Sequence, residues 1–422
     1  MKRTATASSH ISPWKTKGCP AAVLICLSGL VLRCILSATY PPYPEAMAEW
    51  AERIYITGPS GFYSPEVQWP YPPLYLYLLW ISQCLIEWFG INAPGVRNMV
   101  LQIWPILADV AAGWVIYRTA SKLGKRQAPV LCALYIFNPA VIHNSAMWGQ
   151  TDGVFSFVIA LMCVFLIYGK TMPAYIAYGA ALLIKQQSLC FAPLVIAGLV
   201  HAAAEGKNVK SDGRGRFISD TIPGRLLREF LKGAAVIAGM VLLSLPFGLA
   251  EMLGQYMSVT EGMNFVSVEA YNFWALIGRN WASTDTTLLG INVKLLGLLA
   301  EAAAAILSLV YAFLKKNRRV YPYMGALLIL SVFCFATGMH ERYMLSGLVL
   351  LLLAYIINGG KWRFHLYLAF TFLQLANTVL VYKKALGGGL TYEVALTKGI
   401  AAAVCICVLL LWAGALSDVV KR

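Results

Sequence analysis

Glu45, Asp152, Lys185, His340 and Arg342 are ionisable residues set at the margins of strongly apolar segments. A charged side chain at the centre of a membrane-spanning helix costs roughly 2.5–3.5 kcal/mol on insertion scales and less near the interface, so each position asks for a reason. Glu45 and Asp152 are candidates for a carboxylate pair, one to take a proton from an attacking hydroxyl and the other to orient it or hold a metal. Lys185 and Arg342 suit a phosphate or diphosphate, Lys as a point charge and Arg as a planar fork. His340-Glu341-Arg342 puts ionisable groups side by side at a membrane edge, which snorkelling of one long side chain does not explain. Trp148, Gln150, Gln187, Tyr71 and Asn272 add rings and amides that could hold a substrate. Asp152 also reads as the N-cap of the helix that follows it, and an aromatic belt at headgroup level is the competing account of Trp69, Tyr71, Tyr75 and Trp274.

The elements that must position these residues are membrane helices. With 59% hydrophobic and 13% charged residues, the 422-residue chain reads as an all-α polytopic membrane protein. Its formal charge of +15 is carried in short runs between apolar segments, the mark of cytoplasmic loops, and a nucleic-acid partner is not expected. The cysteines are scattered, with no CxxC pair and no metal-ligand spacing to His, and read as small core residues without disulfides. A metal is left open, with a divalent cation as the candidate cofactor.

The chain forms a single transmembrane domain over 1–422. Residues 1–20 are a polar, basic cytoplasmic tail; Arg33 and the lack of a small-residue cleavage site argue for a retained first helix. The 38–73 loop is rich in Pro, Tyr, Trp and Glu and is placed outside, with an amphipathic helix over 46–56 ended by Gly58-Pro59. The 204–230 loop is cytoplasmic. Putting every basic run inside requires an even number of crossings, which is met if 74–89 lies at the outer interface and about twelve segments of roughly 20 residues cross. The pair 173–184 and 189–203, short and interrupted at Lys185, reads as broken or re-entrant. Both termini are then cytoplasmic, and the polar clusters gather on the opposite face.

Tyr71-Pro72-Pro73-Leu74, Asn138-Pro139, Trp148-Gly149-Gln150-Thr151-Asp152, Lys185-Gln186-Gln187 and Met339-His340-Glu341-Arg342-Tyr343 follow one another in this order over roughly residues 20–380. Together they resemble the GT-C superfamily of membrane glycosyltransferases, most closely the bacterial proteins related to GPI-anchor mannosyltransferases. The resemblance implies a GT-C-type fold in a bacterial plasma membrane. It also implies an inverting transfer of a sugar, with mannose the expected one, from a polyprenyl- or dolichyl-phosphate donor to an extracytoplasmic glycan or lipid-linked acceptor. Relatives carry a first-loop Asp as base; this chain has Tyr43 and Pro44 ahead of Trp50, and Pro70 ahead of Tyr71, so Glu45 takes that role. Asp152 then positions the base or acceptor, and Lys185, His340 and Arg342 hold the donor phosphate. Trp148, Gln150, Gln187, Tyr71 and Asn272 contact substrate. Two other readings stay open: a transporter or flippase for a lipid-linked sugar, and a non-catalytic GT-C-like protein that binds a glycolipid or scaffolds a partner. The missing first-loop Asp supports the last.

Overall fold

The computed structural model describes residues 18–40, 46–67, 71–205, 221–262, 264–387 and 394–420, with the side chains of 258–262 left aside. Most of the 1–20 tail, much of the 204–230 loop, Glu45 and Trp69 lie outside the described residues. The chain opens with α1 (Cys19–Thr39), followed by the amphipathic α2 (Ala46–Thr57) and by α3 (Pro73–Trp88). Next come α4 (Pro94–Leu101), α5 (Ile103–Lys122), α6 (Ala128–Ile136), the short α7 (Pro139–Ile142), α8 (Asp152–Ile167), α9 (Thr171–Leu182), α10 (Ala192–Ala204), α11 (Ile222–Ser244) and α12 (Leu249–Gly262). The outer segment between α12 and α14 (Val293–Lys315) holds α13 (Phe273–Leu276) and three two-residue strands, β1 (Ser267–Val268), β2 (Thr287–Leu288) and β3 (Ile291–Asn292). The chain ends with α15 (Tyr321–Phe335), β4 (Met339–His340), α16 (Leu345–Asn358), α17 (Lys361–Gly387) and α18 (Val394–Val420).

The architecture is an all-α bundle with α15 and α16 at its centre. Almost every side chain of both is buried, in keeping with their apolar character all round the helix. They approach closely because each offers a glycine to the other's leucine: a Cβ on Gly347 would stand 2.7 Å from Leu330, and one on Gly325 would stand 3.0 Å from Leu350. Such small-residue seams are how membrane helices gain contact when lipid is as apolar as they are. The helices α14, α8, α17 and α5 pack around this pair, α14 with an outer face left open, while α1 and α11 stay at the periphery.

Among the described residues, seven helices are long and apolar enough to cross a membrane, or nine if each bent pair counts as one span. The expected count of about twelve is not reached by this measure. The reason is length: α3, α8, α9 and α16 have 16, 16, 12 and 14 residues, where a straight crossing takes about 20. Two of the apolar segments are also bent. The 97–118 segment bends by 51° at Gln102, and 128–144 bends by 43° at Asn138-Pro139.

The second bend follows from local chemistry. A proline disfavours helical backbone at the residue before it, and Asn138 is extended there (φ −65°, ψ 119°). Its side chain closes the break: Oδ1 accepts from the Ala140 and Val141 amides, and Nδ2 donates to the hydroxyls of Tyr367 and Thr371. A π-helical turn over His143–Met147 then leads into Gly149, whose positive φ of 70° strains any other residue and where a Cβ would stand 3.0 Å from the Gln102 side-chain amide. This irregular stretch delivers Asp152 to the start of α8.

Candidate functional site

Asp152 is the first helical residue of α8, and Thr151 before it makes no side-chain cap. The N-cap role expected for Asp152 is therefore corrected: its carboxylate turns to a partner from elsewhere in the chain. That partner is Lys185, whose Nζ lies 2.5 Å from Asp152 Oδ1, both side chains being almost wholly buried. Lys185 stands in the break after α9, in extended backbone (φ −154°, ψ 129°), before the 3-10 turn Gln186–Phe191. The interruption in the apolar pattern is thus what lets a lysine turn inward.

The third contribution comes from the loop between α15 and α16. Arg342 Nε lies 3.7 Å from Asp152 Oδ2, close enough for an ion pair and too far for a hydrogen bond, while its Nη1 lies 2.6 Å from Glu341 Oε1. Tyr343 stacks under both cations, with Lys185 Nζ 4.1 Å and Arg342 Cζ 5.5 Å from its ring centre. Gln187 donates to the Tyr343 carbonyl at 3.2 Å, and Gln374 of α17 donates to the Glu341 carbonyl at 3.3 Å. His340 Nδ1 is 3.8 Å from Glu341 Oε2.

The loop is pinned by the outer segment. Strands β1 and β4 pair in parallel, Ser267 with Met339 and Val268 with His340. Glu269, at positive φ, bridges to His340 through its backbone, and its carboxylate receives Trp281 Nε1 at 2.7 Å and Lys384 Nζ at 2.6 Å. Asn377 closes the same corner, donating to the Glu269 carbonyl and accepting from the Tyr271 amide.

Electrostatically the cluster is balanced: carboxylates on Asp152 and Glu341, cations on Lys185 and Arg342. Burial pushes the Glu341 carboxyl up, and the Arg342 guanidinium offsets only part of that. Burial also works against the charged guanidinium, but Glu341 beside it holds Arg342 above its ordinary value. His340 is held well below its ordinary value by burial and by the positive Arg342 and Lys185, so it is a neutral imidazole. Arg342 and His340 are the most open members, with side chains 15% and 19% exposed. A ligand oxygen could thus reach the exposed part of the Arg342 side chain, with a neutral imidazole beside it as donor or acceptor, while Nε itself is enclosed without a hydrogen-bond partner.

The other expected site residues are placed differently. Trp148 is buried between His143 and Tyr382, with centroid distances of 5.9 and 5.8 Å, and offers no open face to a sugar. Gln150 is buried, its backbone N–H on the Asn144 carbonyl. Asn272 is spent on the fold: it caps α13 by accepting from the Trp274 and Ala275 amides and donates to the Phe333 carbonyl. Tyr71 is half-buried with its ring against Trp50 and Tyr75. Glu45 lies outside the described residues. Among the described residues no group of three or more His, Cys, Asp or Glu is arranged to hold a metal ion.

Sequence reasoning passed over one buried ion pair. Arg33 Nε of α1 lies 3.1 Å from Asp109 Oδ2 of α5, both side chains fully enclosed. The signal was available: each is a lone charge inside an apolar helix, where a partner is to be expected. It singled out Glu341 only as part of the His340-Glu341-Arg342 run and gave it and Tyr343 no role in the site, although they sit inside the block that carried His340 and Arg342.

A family model described as GPI transamidase subunit PIG-U matches residues 52–276, just over half of the chain. No curated protein matches it. The family match overturns the expected kinship with GPI-anchor mannosyltransferases and the expectation of an inverting glycosyltransferase, since its description is of a subunit of a transamidase. The expected base, Glu45, lies outside the described residues, and the Asp152 carboxylate, expected to position the base or acceptor, is engaged by Lys185 and flanked by Arg342. The polyprenyl-phosphate sugar donor loses its support with the transfer reaction.

Proposed function

The chain belongs to the PIG-U family of GPI transamidase subunits, and from that premise we propose that it is a non-catalytic, GT-C-like membrane subunit that holds a phosphate-bearing glycolipid at the Asp152, Lys185, His340 and Arg342 cluster. The observation that carries this reading is the partly exposed Arg342 side chain, which stands beside His340 at the margin of a buried ion-pair network. A guanidinium side chain that stays partly exposed at a membrane edge is suited to an anionic oxygen. Glu341 and Asp152 keep that cation in place when the site is empty, and His340 is free to contact a neutral hydroxyl. An integral membrane protein brings such a lipid to the site by lateral diffusion, without a soluble carrier.

The family points to the endoplasmic reticulum membrane in place of the bacterial plasma membrane. In this reading the cluster faces the lumen, both termini face the cytosol, and the short helices α8, α9 and α16 complete about twelve crossings where the lipid is locally thinned. The test is direct binding of a phosphoinositol glycolipid to the purified chain. Arg342→Gln should weaken binding about ten- to a hundredfold, the worth of one charge-assisted contact to phosphate, and should leave the affinity for a neutral glycolipid of the same tail length unchanged. Equal affinity of parent and Arg342→Gln for the phosphorylated lipid removes the site from the proposal.

A further inference from the structure

Glu301 is the ninth residue of α14, so it lies roughly 12 Å along the axis from the end of the helix nearer the candidate site. That end is fixed by Gly297, where a Cβ would stand 3.0 Å from the Thr337 amide. The helix is long and apolar enough to cross a membrane, which puts the carboxylate at hydrocarbon depth. A glutamate has too short a stem to reach the interface from there. Glu301 is half-buried, with Cys190 of the 3-10 turn within electrostatic reach on one flank. On the other flank α14 presents Leu298, Ile306 and Leu307 to the outside, with the exposed Ala302 and Ala303 forming a low strip between them.

How this chain treats its other acids makes Glu301 stand out. On the helices that span or complete a span, Asp109 is held by Arg33, Glu229 by Lys232, and Asp418 by Arg363. Among the described residues Glu301 has neither an ion pair nor a hydrogen bond. Lipid tails offer no donor at that depth, and a lipid ammonium group sits at the interface, a distance of two helical turns away. We propose that α14 is the docking surface for a transmembrane helix of a partner protein that carries Lys or Arg at the depth of Glu301. The charge complementarity names the partner's chemistry, and the alanine strip allows the close backbone approach that membrane helix pairs use. This surface is independent of the glycolipid reading, since it lies on the outer flank of α14 and uses none of the cluster's residues.

The experiment places the photoreactive residue benzoylphenylalanine at Ala302 of the full chain in the membranes of the cells that make it, and maps the adduct after irradiation. The expected adduct falls in an apolar segment of about 20 residues, within about one turn of a Lys or Arg. Glu301→Leu should lower its yield at least about tenfold, as expected when one member of a desolvated charge pair is truncated. Exchanging the charges, Glu301→Lys with the mapped cation changed to Glu, should restore the yield. Adducts to lipid alone, to a span without Lys or Arg at that depth, or to a soluble segment overturn the proposal, as does an unchanged yield in Glu301→Leu. If Glu301→Leu does not accumulate as folded protein, the isosteric Glu301→Gln is read in the same way.

Discussion

Asp152 serves two cations with one carboxylate, and that makes it the residue whose loss is most informative. Asp152→Asn leaves the Lys185 ammonium buried without a counter-ion, which should cost about 3–5 kcal/mol of stability. The double change Asp152→Asn with Lys185→Met should cost less than Asp152→Asn alone, because it removes the orphaned charge with its partner. Thermal unfolding of the purified proteins checks this, and simple additivity of the two single changes would show that the pair is not coupled. His340 gives a pH signature. Its pKa is depressed in the folded state from an ordinary value of 6.5, so the unfolded chain binds the proton more readily. The stability it contributes is fully present above about pH 6.5 and is lost as the pH falls below it. The unfolding midpoint should drop between about pH 7.5 and about pH 5.5, and His340→Gln should flatten that part of the profile.

At the scale of elements, function rests on where helices stop. The Asn138-Pro139 break, the π-helical turn and the Gly149 corner place Asp152, and the extended Lys185 ends α9 so that the two meet. Asn138→Ala removes the cap of α7 and the bonds to Tyr367 and Thr371 together, so its cost should reach or exceed the upper end of the roughly 0.5–2 kcal/mol seen for lost caps. A cost within error of zero would mean that the bend is set by proline alone. The central seam is the other sensitive element: Gly347→Leu drives a side chain into Leu330 and should cost about 1–3 kcal/mol, measured as a lower unfolding midpoint.

For the molecule as a whole, the arrangement in the membrane is the property to establish. In a background freed of its ten cysteines, a single Cys at Leu289, which is 95% exposed in the outer segment, should label with an impermeant reagent from the luminal side. A Cys at the exposed Asn317, beside Arg318 and Arg319, should label only from the cytosol. Labelling of both from one side would overturn the placement of the candidate site opposite the basic loops. The Arg33 and Asp109 pair acts at the same scale, since it joins α1 to α5 across the interior.

The amino-acid sequence by itself determined the solvent and the class of fold, because bilayer hydrocarbon tolerates only helices or closed barrels and the apolar runs here are helical in length. It also marked the breaks: Asn138-Pro139 and the polar interruption at Lys185 are local signals, written in residues whose backbone or charge cannot continue an apolar helix. The blocks around Asp152, Lys185 and Arg342 were legible as chemistry for the same reason. Which of these residues meet was a matter for the tertiary structure. Asp152 and Lys185 are separated by α8 and α9, and Arg342 arrives from beyond α15, so no spacing in the sequence encodes their contact. Only packing decided that Asn272 and Trp148 are spent inside the fold, that Glu341 and Tyr343 complete the cluster, and that Arg33 finds Asp109. The resemblance to sugar transferases rested on those same short blocks. A block fixes which side chains are available, whereas the tertiary structure fixes their partners, and for Asp152 those partners are the cations Lys185 and Arg342.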